Sequence, residues 1–122
     1  MNRYQHLLTA MNRRNKMVKR VTIVSIPETS DPDAFWKWWL EDHAQIVRTY
    51  PELKKYVISR VSRVTQGSDK LAFFGMVETW WENEDSLPKA LEAPEAKRTY
   101  NEFVSGVSDR FSAIMEEKEI PL

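Results

Sequence analysis

The sequence predicts an α+β domain in which a β-α-β-β-α-β chain folds into one four-stranded antiparallel sheet with its helices on one face. Three observations predict it. Segments rich in β-branched residues alternate with segments of helical period. The helical segment over residues 31–51 has a clear start and a clear stop. At 122 residues the chain is long enough for one core and short for two.

Residues 1–20 carry Arg3, Arg13, Arg14, Lys16, Lys19 and Arg20 with no acid, and read as a basic arm ahead of a domain over 21–122. Tyr4, Leu7, Leu8 and Met11 are spaced as one face of a short amphipathic helix over about residues 1–12. Such a helix would dock on the body or on a partner subunit, or the arm is disordered ahead of an alternative start at Met17. A targeting segment is the less favoured reading, because the arm is short and nearly free of serine. His6 reads as incidental. VTIVSI at 21–26, closed by Pro27, is the first strand.

The long helix follows. Ser30 and Asp33 are spaced as a capping box, Asp31 is an alternative cap, and Pro32 falls at the first helical position. Pro51 stops the helix. Residues 53–64 form a second strand, Gln66-Gly67-Ser68-Asp69 a turn, and residues 71–80 a third strand, the two strands pairing as a hairpin. Asp85 caps a short helix that tolerates Pro88 in its first turn. Pro94 opens another to about Ser105, with Gly106 as a left-handed cap and Tyr100, Phe103, Val104 and Val107 as its inner stripe. Residues 111–120 are the fourth strand. The order is ferredoxin-like with a split second helix, and the uncovered sheet face implies a homodimer packed face to face.

Composition excludes several functions. Without cysteine there is no disulfide, thiolate catalysis or cysteine zinc site. Outside the arm, twelve basic residues face eighteen acidic ones, net −6, a poor nucleic-acid surface. No apolar run approaches the roughly eighteen residues of a membrane span, and the N-terminus lacks a secretory block, so the expectation is a soluble, cytoplasmic protein. With Gly67, Gly75 and Gly106 alone there is no P-loop or dinucleotide fingerprint. There is no nucleophile elbow, and two distant histidines make no metal constellation.

The candidate chemistry centres on His43. A turn of roughly 100° per residue places Trp36, Trp39, Val47 and Tyr50 within about 40° of it, with Leu40 and Ile46 at roughly 60° on either side. Lys37, Glu41, Gln45 and Arg48 fall on the far side. A satisfied core histidine and a catalytic one both fit this placement. Counting by two along the third strand puts Glu78 with Phe74, Met76 and Trp80, and Phe73, Gly75 and Val77 opposite. A carboxylate in that company is costly unless paired, so Glu78 is the candidate orienter of His43. The alternative is a Glu78 that reaches water or pairs with Arg60 or Arg63. Asp42 is turned away and reads as exposed. Tyr56 and Arg60 share one face of the second strand and suit a substrate carbonyl or carboxylate, or are ordinary strand residues with wet tips. Trp36, Trp39, Tyr50, Phe74, Met76, Trp80, Tyr100 and Phe103 suit a flat hydrophobic ligand or a plain core. Trp38 and Trp81 fall off the inner faces, toward a subunit contact.

The run FWKWWLEDHAQIVRTYPELKKYV, then a strand and ETWWENEDSLPKALEAPE, resembles the EthD-like family of the dimeric α+β barrel superfamily over about residues 21–120. The resemblance rests on aromatic-W-x-x-x-His-Ala, on Pro-x-Leu-x-x-Tyr entering the second strand, and on the acidic-aromatic end of the third. Two departures stand out: relatives commonly have proline after His-Ala and Pro-Gly-Leu, where this chain has Gln45 and Glu52. The resemblance implies a small-molecule pocket between sheet and helices. Family roles range over lactone isomerases, polyketide cyclases, cofactor-free oxygenases and proteins of ether or aromatic catabolism. Muconolactone-type isomerases pair the helix histidine with a cysteine, which is absent here. The expectation is therefore a cofactor-free enzyme of isomerase, cyclase or lyase type acting on a hydrophobic cyclic or aromatic carbonyl compound, with His43 as acid or base. Alternatives are a non-catalytic ligand-binding or accessory subunit and a cofactor-free monooxygenase. Haem held by His43, as the superfamily also suggests, is a lesser alternative.

Overall fold

The computed structural model describes residues 17–67 and 73–122. Strands β1 (Val18–Ser25), β2 (Leu53–Arg60), β3 (Gly75–Trp81) and β4 (Asp109–Met115) form one antiparallel sheet in the order β2-β3-β1-β4. Between β1 and β2 run α1 (Pro32–Trp38), a π turn (Trp39–His43) and α2 (Ala44–Val47), joined without a break in helical backbone. Helices α3 (Ser86–Ala90) and α4 (Pro94–Gly106) connect β3 to β4. This is the expected ferredoxin-like α+β arrangement, split second helix included.

Two helix starts follow from residues at their N-termini, whereas Asp85 precedes α3 without a side-chain cap bond. Asp31 Oδ1 accepts from the backbone N–H of Asp33 at 3.0 Å and of Ala34 at 3.2 Å, so Asp31, not the Ser30–Asp33 box, caps α1. Pro94 opens α4 at a position that needs no donor. Three expectations are corrected. Strand β1 begins at Val18, because Val18, Lys19 and Arg20 pair with Trp81, Trp80 and Thr79, which moves Lys19 and Arg20 out of the arm and into the sheet. Strands β2 and β4 end earlier than expected, at Arg60 and Met115. Gly106 stays helical and adopts no left-handed cap; a side chain there would come within 3.3 Å of the Phe35 ring. The arm helix over 1–12, His6, Ser68 and Asp69 of the turn, and Leu71 and Ala72 of the third strand lie outside the described residues.

The core lies between the sheet and the helices in two clusters. One gathers Val47, Tyr50, Trp81, Ala90 and Ala96; the other gathers Val24, Trp39 and Phe103 with Phe35, Phe74 and Val77 around them. Gly75 makes the second possible, since a β-carbon there would approach the Trp39 ring to 3.2 Å. Trp39 is accordingly fully buried. Among the described residues the opposite sheet face carries no helix, and it presents Phe111, 63 % exposed, in register with Ile23 and Met76.

Candidate functional site

His43 closes the π turn. The Ala44 N–H donates to the Trp39 carbonyl, an i→i+5 bond, and in such a turn residues five apart lie over one another. Trp38 is therefore carried over His43, with ring centroids 5.4 Å apart, and Phe103 of α4 stacks on the imidazole at 4.8 Å. Nδ1 lies 3.1 Å from Thr99 Oγ1, also on α4. His43 is 7 % exposed, and burial lowers its pKa to about 4, with hydrogen bonding to the Thr99 backbone working in the opposite direction. The ring is thus neutral at ordinary pH, its Nδ1 taken and Nε2 without a partner among the described residues.

The imidazole lines a chamber of about 80 Å³ between helices and sheet, together with Tyr50, Tyr56, Tyr100, Phe103, Val47, Val77, Thr79, Trp81 and Leu87, and with Arg20, Thr22, Arg110 and Ser112 along the β1–β4 side. That space is small: a single water takes up roughly 10 to 15 Å³ of such a space, and whole drug-sized sites run to several hundred. Tyr50 Oη donates to the Ala96 carbonyl at 2.9 Å, and burial, followed by the charge of Glu95, pushes its pKa up to about 12. Burial likewise raises the Tyr56 hydroxyl, reinforced by Tyr50; the Trp39 indole N–H beside it works the other way. Trp39 Nε1 makes no well-formed hydrogen bond among the described residues, so its closeness to the Tyr56 oxygen is a weak contact rather than a satisfied pair. Both phenols stay protonated and can donate.

The structure brings together His43, Tyr50, Tyr56, Tyr100 and Phe103 of the expected set and separates the rest. Glu78, Met76 and Trp80 share a face, as counted, but it is the face turned from the helices; Gly75, Val77, Thr79 and Trp81 point inward. Strand parity allows only two choices, and the other one flips every side chain. Glu78 pairs with Lys19 at 3.0 Å, and Lys19 also reaches Glu117 at 2.7 Å, so Glu78 cannot orient His43 within this chain. Trp80 lies between the ammonium groups of Lys19 and Lys55, at 4.8 and 4.6 Å. Arg60 has the parity of Tyr56, yet its guanidinium pairs with Asp33 at 3.0 Å and covers the Trp36 ring at 5.2 Å, away from the chamber. Trp36 packs edge-on against Trp39, and Phe74 against Phe35, both as core. Trp38 and Trp81, placed off the inner faces by helical and strand counting, both pack inward; Trp81 is 3 % exposed and its Nε1 donates to Thr79 Oγ1 at 2.7 Å. Thr99 was missed, although Ala96, Thr99 and Phe103 recur at i, i+3 and i+7 and mark the inner stripe of α4. Arg20, Thr22, Arg110 and Ser112 were missed because each looks polar and outward in sequence.

Haem does not fit at His43, because the chamber of about 80 Å³ is too small for a porphyrin. Among the described residues no three His, Asp or Glu side chains gather to hold a metal ion, and no helix is long and apolar enough to cross a membrane.

The sheet order and the chamber beneath the helices define a ferredoxin-like α+β domain. Residues 27–113 match the EthD domain, and the chain belongs to that family. An ethyl tert-butyl ether D (EthD) family protein from Bacillus halodurans is 26 % identical, with a TM-score of 0.67 over 84 % of this chain and 99 % of that one. Hydroxynitrile lyase from Passiflora edulis is 12 % identical with a TM-score of 0.68, covering 87 % and 99 % of the two chains. A mutant of SnoaB, a cofactor-independent oxygenase from Streptomyces nogalater, is 12 % identical with a TM-score of 0.63, covering 85 % and 95 %. At 12 % identity these last two establish the shared fold alone. No curated protein matches the sequence.

Proposed function

We propose that the protein is a cofactor-free enzyme that moves a proton on a small hydrophobic carbonyl compound, with His43 as the base. The observation that carries this reading is the buried, neutral imidazole whose Nδ1 is held by Thr99 on the wall of an apolar chamber. Nε2 would take a proton from the carbon next to the carbonyl, leaving an enolate whose oxygen accepts a hydrogen bond from the Tyr56 hydroxyl. Return of the proton to another carbon completes an isomerisation, and expulsion of a leaving group completes an elimination. Thr99 takes the orienting place that Glu78 cannot fill; a hydroxyl fixes the ring without stabilising the imidazolium as a carboxylate would. Among its structural neighbours a lyase and an oxygenase use the same fold, which supports small-molecule chemistry in this architecture.

A second reading, a non-catalytic carrier of a hydrophobic metabolite, draws on the all-neutral or basic set of described residues that line the chamber. One experiment separates the two. In D2O, a panel of cyclic and aromatic ketones and lactones is incubated with protein and followed by proton NMR. Deuterium entering next to the carbonyl, and lost in a folded His43→Ala variant, supports catalysis. Exchange equal in both proteins, or no exchange with any compound, supports carriage.

A further inference from the structure

Two cations on the chamber wall have no part in that proton transfer. In the β1–β4 register Arg20 pairs with Ile114, Thr22 with Ser112 and Val24 with Arg110, so the two arginine positions bracket the Thr22–Ser112 pair on the helix-facing side. The Thr22 and Ser112 hydroxyls are 2.9 Å apart. One donates to the other, which leaves one hydroxyl proton for a third group. Arg110 is held in place: Nη1 donates to Tyr100 Oη at 2.8 Å, with the guanidinium carbon 5.7 Å from the Tyr100 ring centroid. Among the described residues no Asp or Glu lines the chamber and neither arginine forms an ion pair.

A lone surface arginine means little, since such side chains ordinarily end in water. Here two of them, with a spare hydroxyl donor between, share one wall of the chamber that holds His43. The chamber also has an annex. Arg20, Trp81, Leu87 and Tyr100 line both it and an adjoining groove of about 340 Å³, whose other walls are largely apolar and include Val18, Leu91 and Ile114, with Glu84 as the one acid. The pair of spaces suits a molecule with a polar end and a hydrophobic remainder.

We propose that Arg20, Arg110 and the Thr22–Ser112 hydroxyls anchor the carboxylate of an amphipathic acid, whose apolar body runs into the adjoining groove and whose reactive carbon rests against His43. The proposal takes the chamber to be the ligand site, as the preceding reading does, and adds the substrate class: hydrophobic or aromatic carboxylic acids that also carry a carbonyl. Guanidinium is the side chain best matched to a carboxylate, through paired charge-assisted hydrogen bonds. A bound anion would also favour protonation of the nearby imidazole, bringing its proton affinity toward the working range.

The test is calorimetric titration with benzoate, cinnamate and 3-phenylpropanoate, each beside its neutral amide of the same shape. In the native protein at low salt at least one acid should bind about tenfold more tightly than its amide. The preference should narrow as salt rises, a result that needs no variant, and should approach unity in the double variant Arg20→Gln, Arg110→Gln. Acids that fare no better than amides, whether both bind or neither does, overturn the proposal. So does a preference that survives intact in a folded double variant. The readout is binding, so a failure of deuterium exchange leaves it standing. A protein that exchanges deuterium through His43 yet ignores the acid–amide difference loses this inference alone.

Discussion

At the scale of the residue, His43 couples site to stability. Its pKa falls from an ordinary 6.5 to about 4 on folding because the charged ring would be buried. Between those values the unfolded chain binds a proton that the folded chain does not, so stability rises with pH across that window. The stabilisation is fully present above about pH 6.5 and is lost as pH falls toward 4, amounting at most to on the order of 2 to 3 kcal/mol. Chemical denaturation at pH 7 and pH 5 should therefore show a loss that a folded His43→Gln variant does not share; equal losses would contradict it. The buried, inward placement of His43 was legible from its place in an aromatic stripe. Its partner was not, because Thr99 lies 56 positions away and only tertiary packing brings the two together.

At the scale of the element, the π turn explains why counting at 100° misplaced Trp38 and Trp36. One extra residue in that turn brings Trp38 over the imidazole and leaves Trp36 to Arg60 and Trp39. Deleting Glu41, which is exposed within the turn, should convert Trp39 and Ala44 to an ordinary i→i+4 pair and keep both flanking faces in register. Thermal unfolding of that deletion should stay within a few degrees of the native protein, whereas deleting Lys37 from α1 should unfold it by rotating Phe35 and Trp36 against the remaining helix. A second local feature is Glu52, whose φ of 66° is costly for a side chain with a β-carbon. Its 3.6 Å pair with the exposed Lys89 offsets little. Glu52→Gly should raise stability by up to about 1 kcal/mol in denaturant titration, and a clear loss would refute the strain argument.

At the scale of the whole molecule, element order and boundary residues were enough to read the fold, because each strand and helix carried its own period and punctuation. What strand alternation alone left undetermined was which face of β3 meets the helices. Gly75 settles it by admitting Trp39, and Glu78, Met76 and Trp80 go to the far side. That far face, with Phe111 and Met115 exposed, is the expected dimer surface. Sedimentation should give a dimer at micromolar concentration, and Phe111→Asp should give a folded monomer; a native monomer would rule that face out as a subunit contact. The proposed chemistry rests on something narrower: a neutral imidazole, fixed at Nδ1, with Nε2 open to the chamber. Ring-nitrogen NMR of histidine-labelled protein measures it directly, and His6→Gln leaves His43 as the one histidine signal. The ring should remain neutral down to about pH 4, and its Nε2 resonance should move when a chamber ligand is added. A midpoint near the ordinary 6.5, or an Nε2 resonance indifferent to every ligand that binds, would contradict that arrangement.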